Sequence, residues 1–149
     1  MTGSVGGVEE IYDSPTDWVA RHIRKYVDSD GAQGQVFYGV PALLLTTRGR
    51  RSGQLRRTAL YYGERDGDYV LVASNGGSTG HPSWYLNLDA EPQVHVQVGG
   101  EEFDAVARTA TGAERATLWK HMVEVFDKYE QYQAKVSREI PVVVLTRVG

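Results

Sequence analysis

Two short turn signals constrain this chain more than any other feature. Asp66-Gly67 separates the strand-forming runs 55–62 and 69–73, and Gly99-Gly100 separates 94–98 from 103–107. Links of this kind supply the positive φ that two-residue hairpins need, so each pair of runs is expected to lie antiparallel. Val94, Val96 and Val98 alternate with His95 and Gln97, the period of a strand with one buried face. Residues 42–47 run from alanine through three leucines to two threonines, which suits a strand buried on both faces. Neighbours joined by hairpins imply a mostly antiparallel sheet and an α+β fold, with a small barrel as one form it could take.

The helices have their own punctuation. Ser14, Pro15 and Asp17 read as N-cap, first helical position and first-turn acid. Trp18, Val19, His22, Ile23, Tyr26 and Val27 follow at helical spacing to about residue 29, and Gly31 and Gly34 end the run. Its other face carries Arg21, Arg24 and Lys25. A basic amphipathic helix could lie on a membrane surface, although packing on its own domain is the commoner fate. His81 and Pro82 open a short helix through Leu88. Thr111 and Glu114 have the spacing of a capping box, predicting one long helix to about residue 136. Residues 140–146 read as a closing apolar strand. Residues 1–13 are Gly-rich and expected to be flexible, leaving 14–149 as a single domain without repeat or linker.

Composition narrows the chemistry. There is no cysteine among the 149 residues, which removes disulfides, thiolate catalysis and cysteine-based metal sites. The four histidines (22, 81, 95 and 121) are scattered, so no metal site is expected. A net charge of -3 argues against a general nucleic-acid binder. No signal peptide and no apolar run approaching the roughly 20 residues of a bilayer span is visible. The expected location is the cytoplasm, with the inner face of the membrane open as a peripheral site through the first helix.

Against this acidity, five arginines (48, 50, 51, 56 and 57) fall within ten positions, around Gly49, Ser52 and Gly53. Amides of a glycine-bearing turn with guanidinium forks around them make a cradle for a small anion. The same residues would serve equally as a strand connection whose charges face water. No G-x-S-x-G elbow, Walker loop or G-x-G-x-x-G fingerprint is present, and no acid–base pair can be named. Such a chain could take its chemistry from an organic cofactor.

Four tracts in order carry a family resemblance: Leu-Leu-Leu-Thr-Thr-Arg-Gly-Arg-Arg-Ser-Gly (43–53), Val-Ala-Ser-Asn-Gly-Gly (72–77), His-Pro-Ser-Trp-Tyr-Leu-Asn-Leu (81–88), and Tyr-Gln with Arg-Glu-Ile-Pro-Val-Val-Val-Leu-Thr (132–146). Together they resemble the deazaflavin-dependent nitroreductase and quinone reductase family, from about residue 40 to 147. The resemblance implies a flavin-reductase-like split β-barrel with flanking helices, and coenzyme F420, in its reduced form, as hydride donor. It implies that Arg50, Arg51 and Ser52, with Arg56, Arg57, Thr58 and Tyr61 on the next strand, hold the coenzyme. Ala73 and Ser74 would face the deazaflavin ring, Asn75 would stand on the coenzyme's tail side, and Trp84, Tyr85 and Asn87 would line its site. Core packing is the alternative reading for Trp84 and Tyr85. Arg51 stands where lysine is usual and keeps the charge. Asn75 also replaces a common lysine, Ala59 a usual proline, and Asp127 a frequent proline.

Tyr129 and Tyr132 are three apart and share a helix face, so both suit a core with hydroxyls at its rim. The resemblance implies instead that they border the acceptor pocket, where a protonated phenol can donate a hydrogen bond or a proton. With Ser74 they form the implied catalytic set, acting on a quinone or an activated nitro compound. An FMN-dependent reductase and a non-catalytic F420 carrier stay open as alternatives. Oligomeric state is not legible.

Overall fold

The computed structural model describes residues 9–37 and 39–148. Residues 1–8 of the segment expected to be flexible lie outside the described residues. Its end does not: Ile11–Asp13 forms strand β1, parallel to β4 (Leu55–Tyr61), with Tyr12 beside Arg56. Carboxylates anchor this strand. Asp13 takes Nε and Nη2 of Arg57 at 2.6 and 3.2 Å, and Glu9 pairs with Arg48.

Helix α1 (Asp17–Asp28) begins at Thr16 rather than Ser14, because the Ser14 amide still extends the β1–β4 ladder to the Arg57 carbonyl. A two-residue strand β2 (Val36–Phe37) pairs with β3 (Val40–Arg48), and β3 pairs in turn with β4 and β7 (Gln93–Val98). The Gly99-Gly100 hairpin forms as expected. The turn at Asp66-Gly67 also forms, but it pairs residues 68–72 with the short stretch 63–65 and not with the 55–62 run, which pairs with residues 42–48 instead. β5 (Gly63–Arg65) joins β6 (Asp68–Val72) through Asp66 and Gly67 at φ 54° and 86°, and β7 joins β8 (Glu101–Thr109) through Gly99 at φ 59°. β9 (Val142–Arg147) closes the ladder between β8 and β6.

The sheet order is β1-β4-β3-β7-β8-β9-β6-β5, antiparallel throughout except for β1–β4. This bears out a mixed α+β fold with a mostly antiparallel sheet. The sheet is open rather than closed. The chain leaves β4 at Tyr61 and enters β5 at once, and among the described residues no ladder joins β4 to β6.

The continuous apolar runs are explained by burial on two sides. Leu43 and Leu45 of β3 join Leu71, Val96, Phe103, Val143 and Leu145 in one cluster, while Leu44 faces Ile23 and Tyr26 of α1. On the other face of β6 and β9, Val70, Val72, Val142 and Val144 meet Leu118, Met122 and Tyr129. Tyr26 ties the layers with its phenol, which donates to the Ala42 carbonyl at 3.0 Å and accepts the Gly99 amide at 2.7 Å.

The single helix predicted over 111–136 is two helices, α3 (Gly112–Val125) and α4 (Lys128–Ala134). Phe126 between them is extended at φ −152°, ψ 101°. Its ring sits 4.9 Å from Tyr61 and 5.0 Å from Tyr129, so aromatic packing across elements has overridden helical periodicity. The capping box is not made either. Thr111 is the N-cap without a side-chain bond, and Glu114 pairs with Arg108 at 2.7 and 2.8 Å.

On the β7–β8 hairpin, His95 lies between two acids, Nδ1 3.0 Å from Asp104 and Nε2 3.0 Å from Glu102. Partial burial pulls its pKa down, but the two carboxylates outweigh that and leave it raised. The imidazolium therefore stabilises the fold fully below the ordinary histidine value of about 6.5, and this is lost as pH rises through the higher folded value. The Tm difference between wild type and His95→Gln is expected to shrink between pH 6 and pH 9. A constant difference would mean that the contacts are not ionic.

Candidate active site

The β3–β4 turn is built around Gly49, whose amide donates to the Gln54 carbonyl at 2.7 Å. A Cβ at Gly49 would lie 2.7 Å from Ser52 Oγ, and Gly53 sits at φ 73°, so both glycines are required by the turn. The five arginines are not equivalent. Arg48 and Arg57 are committed to Glu9 and Asp13. Arg50 gives its amide and Nη1 to Asn87 Oδ1 at 3.1 and 2.9 Å, and buried Asn87 donates onward to Thr47 Oγ1 at 3.3 Å. Among the described residues Arg51 and Arg56 have no ion-pair partner. Ser52 Oγ accepts the Gln54 amide at 3.1 Å.

Asn87, expected beside a cofactor, is thus a clamp between helix α2 (Ser83–Ala90) and the arginine turn. Tyr85 also turns away. Its hydroxyl meets Thr109 Oγ1 at 3.0 Å and its ring packs on the β-sheet core. Trp84, on the adjacent position of α2, faces a cleft of about 1110 Å³.

Seven of the expected residues meet in that cleft: Thr58 and Tyr61 of β4, Ser74 and Asn75 after β6, Trp84, and Tyr129 and Tyr132 of α4. Ala73 is fully buried beneath the turn. The Asn75 side chain is spent on the Gly80 carbonyl at 3.0 Å, so its backbone is the part left to face a ligand. Tyr129 is buried against Trp119 and Phe126, and that burial, above all, holds its phenol well above the ordinary value. It is protonated across the neutral range. Tyr132 is half-buried, with Lys135 Nζ 5.8 Å from its ring centre.

The other wall of the cleft contains residues that sequence reasoning did not assign to it. Trp18 stacks on Phe37 at 5.9 Å, and Phe37 on His22 at 4.5 Å; all three line the cleft with Phe126. The spacing of Trp18 and His22 puts them on one apolar stripe of the helix. Half of that stripe does pack, with Ile23 and Tyr26 buried, whereas Trp18 is 55% exposed. Only the placement of β2 over α1 turns it into a wall. Arg138 is the other omission, although it falls within a motif tract. Its guanidinium reaches back to the 73–81 loop at four points.

Residues 18–147 match the model of the F420H2-dependent quinone reductase family. The chain belongs to that family. An F420H2-dependent quinone reductase of Mycobacterium tuberculosis is 40% identical over 87% of this chain and 96% of its own length. Among solved structures, a domain-swapped dimer is 41% identical with a TM-score of 0.68, covering 89% of this chain and 99% of that one. An F420-H2 dependent reductase is 44% identical with a TM-score of 0.66, covering 70% and 93%. The family match spans α1 through β9, and so takes in both walls of the cleft.

Proposed function

We propose that the chain is an F420H2-dependent quinone reductase, with residues 14–149 acting as one coenzyme-binding unit and activated nitro compounds as further acceptors. What carries this reading is an aromatic cleft in a member of this family, together with a turn that is tied through Asn87 to the helix carrying Trp84 and keeps two arginines without carboxylate partners. The donor set suits the coenzyme: Arg51 and Arg56 for an anionic tail, and Trp84, Tyr61 and the 74–75 turn for a planar ring. When bound, the reduced deazaflavin supplies a hydride to an electron-poor acceptor. Reduction of a quinone oxygen also needs a proton, and the acceptor side carries the Tyr132 hydroxyl together with the Tyr129 phenol, which burial holds protonated. Aromatic walls orient a flat acceptor and keep water from it. The open sheet would correspond to a split barrel of flavin-reductase type.

The cleft is about 1110 Å³ and open to solvent, which favours an enzyme whose ring site has an accessible acceptor pocket over a carrier that seals its ring. Among the described residues no helix is long and apolar enough to cross a membrane. We propose a cytoplasmic protein whose α1, with exposed Trp18 beside Arg21 and Lys25, touches the membrane surface where lipophilic quinones reside.

Fluorescence titration with oxidised F420, and with FMN in parallel, tests the cofactor. Saturable binding of the deazaflavin alone is expected, and binding of FMN alone would overturn the reading. Tyr132→Phe removes one hydroxyl and leaves the wall in place. Its kcat with a quinone is expected to fall about tenfold to a hundredfold with coenzyme affinity unchanged, in line with loss of a general acid. Equal loss of both would place Tyr132 in coenzyme binding instead.

A further inference from the structure

Arg138 lies between α4 and β9, is half-buried, and has no carboxylate partner among the described residues. Its donors go to one loop. Nη2 donates to the Ser74 carbonyl at 3.0 Å and Nε to the Ser78 carbonyl at 3.2 Å. Nη1 reaches the Ala73 carbonyl at 3.5 Å and His81 Nδ1 at 3.0 Å. The Arg138 carbonyl in turn accepts from Gln133 on α4 at 2.8 Å, the residue next to Tyr132. Arg138 therefore joins the tyrosine helix to the 73–81 loop through a continuous set of hydrogen bonds.

The orientation of the loop's peptides follows. All described peptide bonds are trans, and in a trans peptide the N–H points opposite to its carbonyl. With the carbonyls of residues 73 and 74 turned to Arg138, the amides of Ser74 and Asn75 point away from it, and no backbone carbonyl among the described residues accepts either. Both residues line the cleft. A positive charge on the carbonyl side also polarises each peptide and strengthens its N–H as a donor.

We propose that Arg138 is a positioning residue of the reductase, locking the 73–81 loop so that the Ser74 and Asn75 amides form a fixed donor pair for a carbonyl oxygen that gains negative charge during hydride transfer. Fixed donors aimed at developing charge are an effective form of transition-state stabilisation. This inference rests on the F420 reading above.

The test compares wild type, Arg138→Met and Arg138→Lys by amide NMR as the protein saturated with oxidised F420 is titrated with a quinone, and by quinone reduction. In the wild type the Ser74 and Asn75 amide protons are expected to shift downfield at saturation. In Arg138→Met those shifts are lost and kcat falls about tenfold to a hundredfold, the scale of a misplaced reacting geometry. Arg138→Lys keeps the charge but cannot span four acceptors, so partial recovery of both readouts is expected. If Arg138→Met does not fold, Arg138→Lys carries the test, and wild-type shifts with wild-type kcat in it would overturn the proposal. Retention of both shifts in a folded Arg138→Met would overturn it as well. A wild-type protein that binds no F420 would overturn this inference together with the reading beneath it, whereas binding with unaltered Arg138→Met overturns this inference alone.

Discussion

Replacing Arg51 and Arg56 together with alanine is expected to weaken binding of F420 by about a hundredfold or more while leaving the fold intact. A hydrogen bond to a charged group contributes about 1.5–3 kcal/mol, and each 1.4 kcal/mol is tenfold in affinity. Neither side chain has an ion-pair partner among the described residues, so their removal leaves no buried carboxylate behind. Arg57→Ala is the informative contrast. Its guanidinium holds Asp13 and with it β1, so that variant should lose stability at the sheet edge rather than affinity in proportion to charge. Isothermal titration and thermal unfolding of the two variants separate these outcomes. Unchanged affinity in the double variant would remove the turn from the coenzyme site and leave it a solvated strand connection.

Gly31→Ala is expected to be the most damaging single methyl addition in the described chain. Gly31 sits at φ 84° just after α1, and a Cβ there would lie 1.9 Å from both C and O of Gly99 in the β7–β8 turn. Backbone is on both sides of this contact, so no side chain can swing away. Either α1 lifts from the hairpin or the hairpin bends, and both break the Tyr26 phenol from the Gly99 amide. Left-handed strain of about 1–3 kcal/mol adds to the lost packing. A cost above about 3 kcal/mol lowers Tm by roughly 10 °C in a chain of this length. Gly80→Ala, where nothing lies within 4 Å, should change Tm by little. Equal behaviour of the two variants would show that α1 is not clamped to the hairpin.

Local residue chemistry accounts for what the sequence made legible. Asp66-Gly67 and Gly99-Gly100 specify their turns because positive φ is a property of those residues and needs no partner. The apolar run of β3 announced burial on two faces because its alternate positions are both hydrophobic, and that of β9 announced a closing strand. In the arginine turn, Gly49 and Gly53 marked a tight connection, and the family resemblance led to the cleft residues Ser74, Trp84, Tyr129 and Tyr132. Where partners compete, the same signals failed. Glu114 has capping-box spacing, yet a strand brings Arg108 to it, and an ion pair replaces the cap. Phe126 fits a helical stripe, yet Tyr61 from β4 draws it out of the helix.

Which arginines can meet an anion was likewise undecided along the chain, since all five are alike in type and spacing. The tertiary structure separates them by bringing Glu9, Asp13 and Asn87 from 37 to 44 positions away onto Arg48, Arg57 and Arg50. It also sets Trp84 at the cleft while its neighbour Tyr85, packed on the same core, turns its hydroxyl to Thr109, and it places Arg138 against a loop some 60 residues upstream. By itself, the sequence determined the turns, the strand faces and the family, because these depend on each residue's own conformational and solvation preferences. The cleft, the uncommitted charges and the clamp on the 73–81 loop were decided by the tertiary structure, because a polar group's role depends on which partner reaches it first.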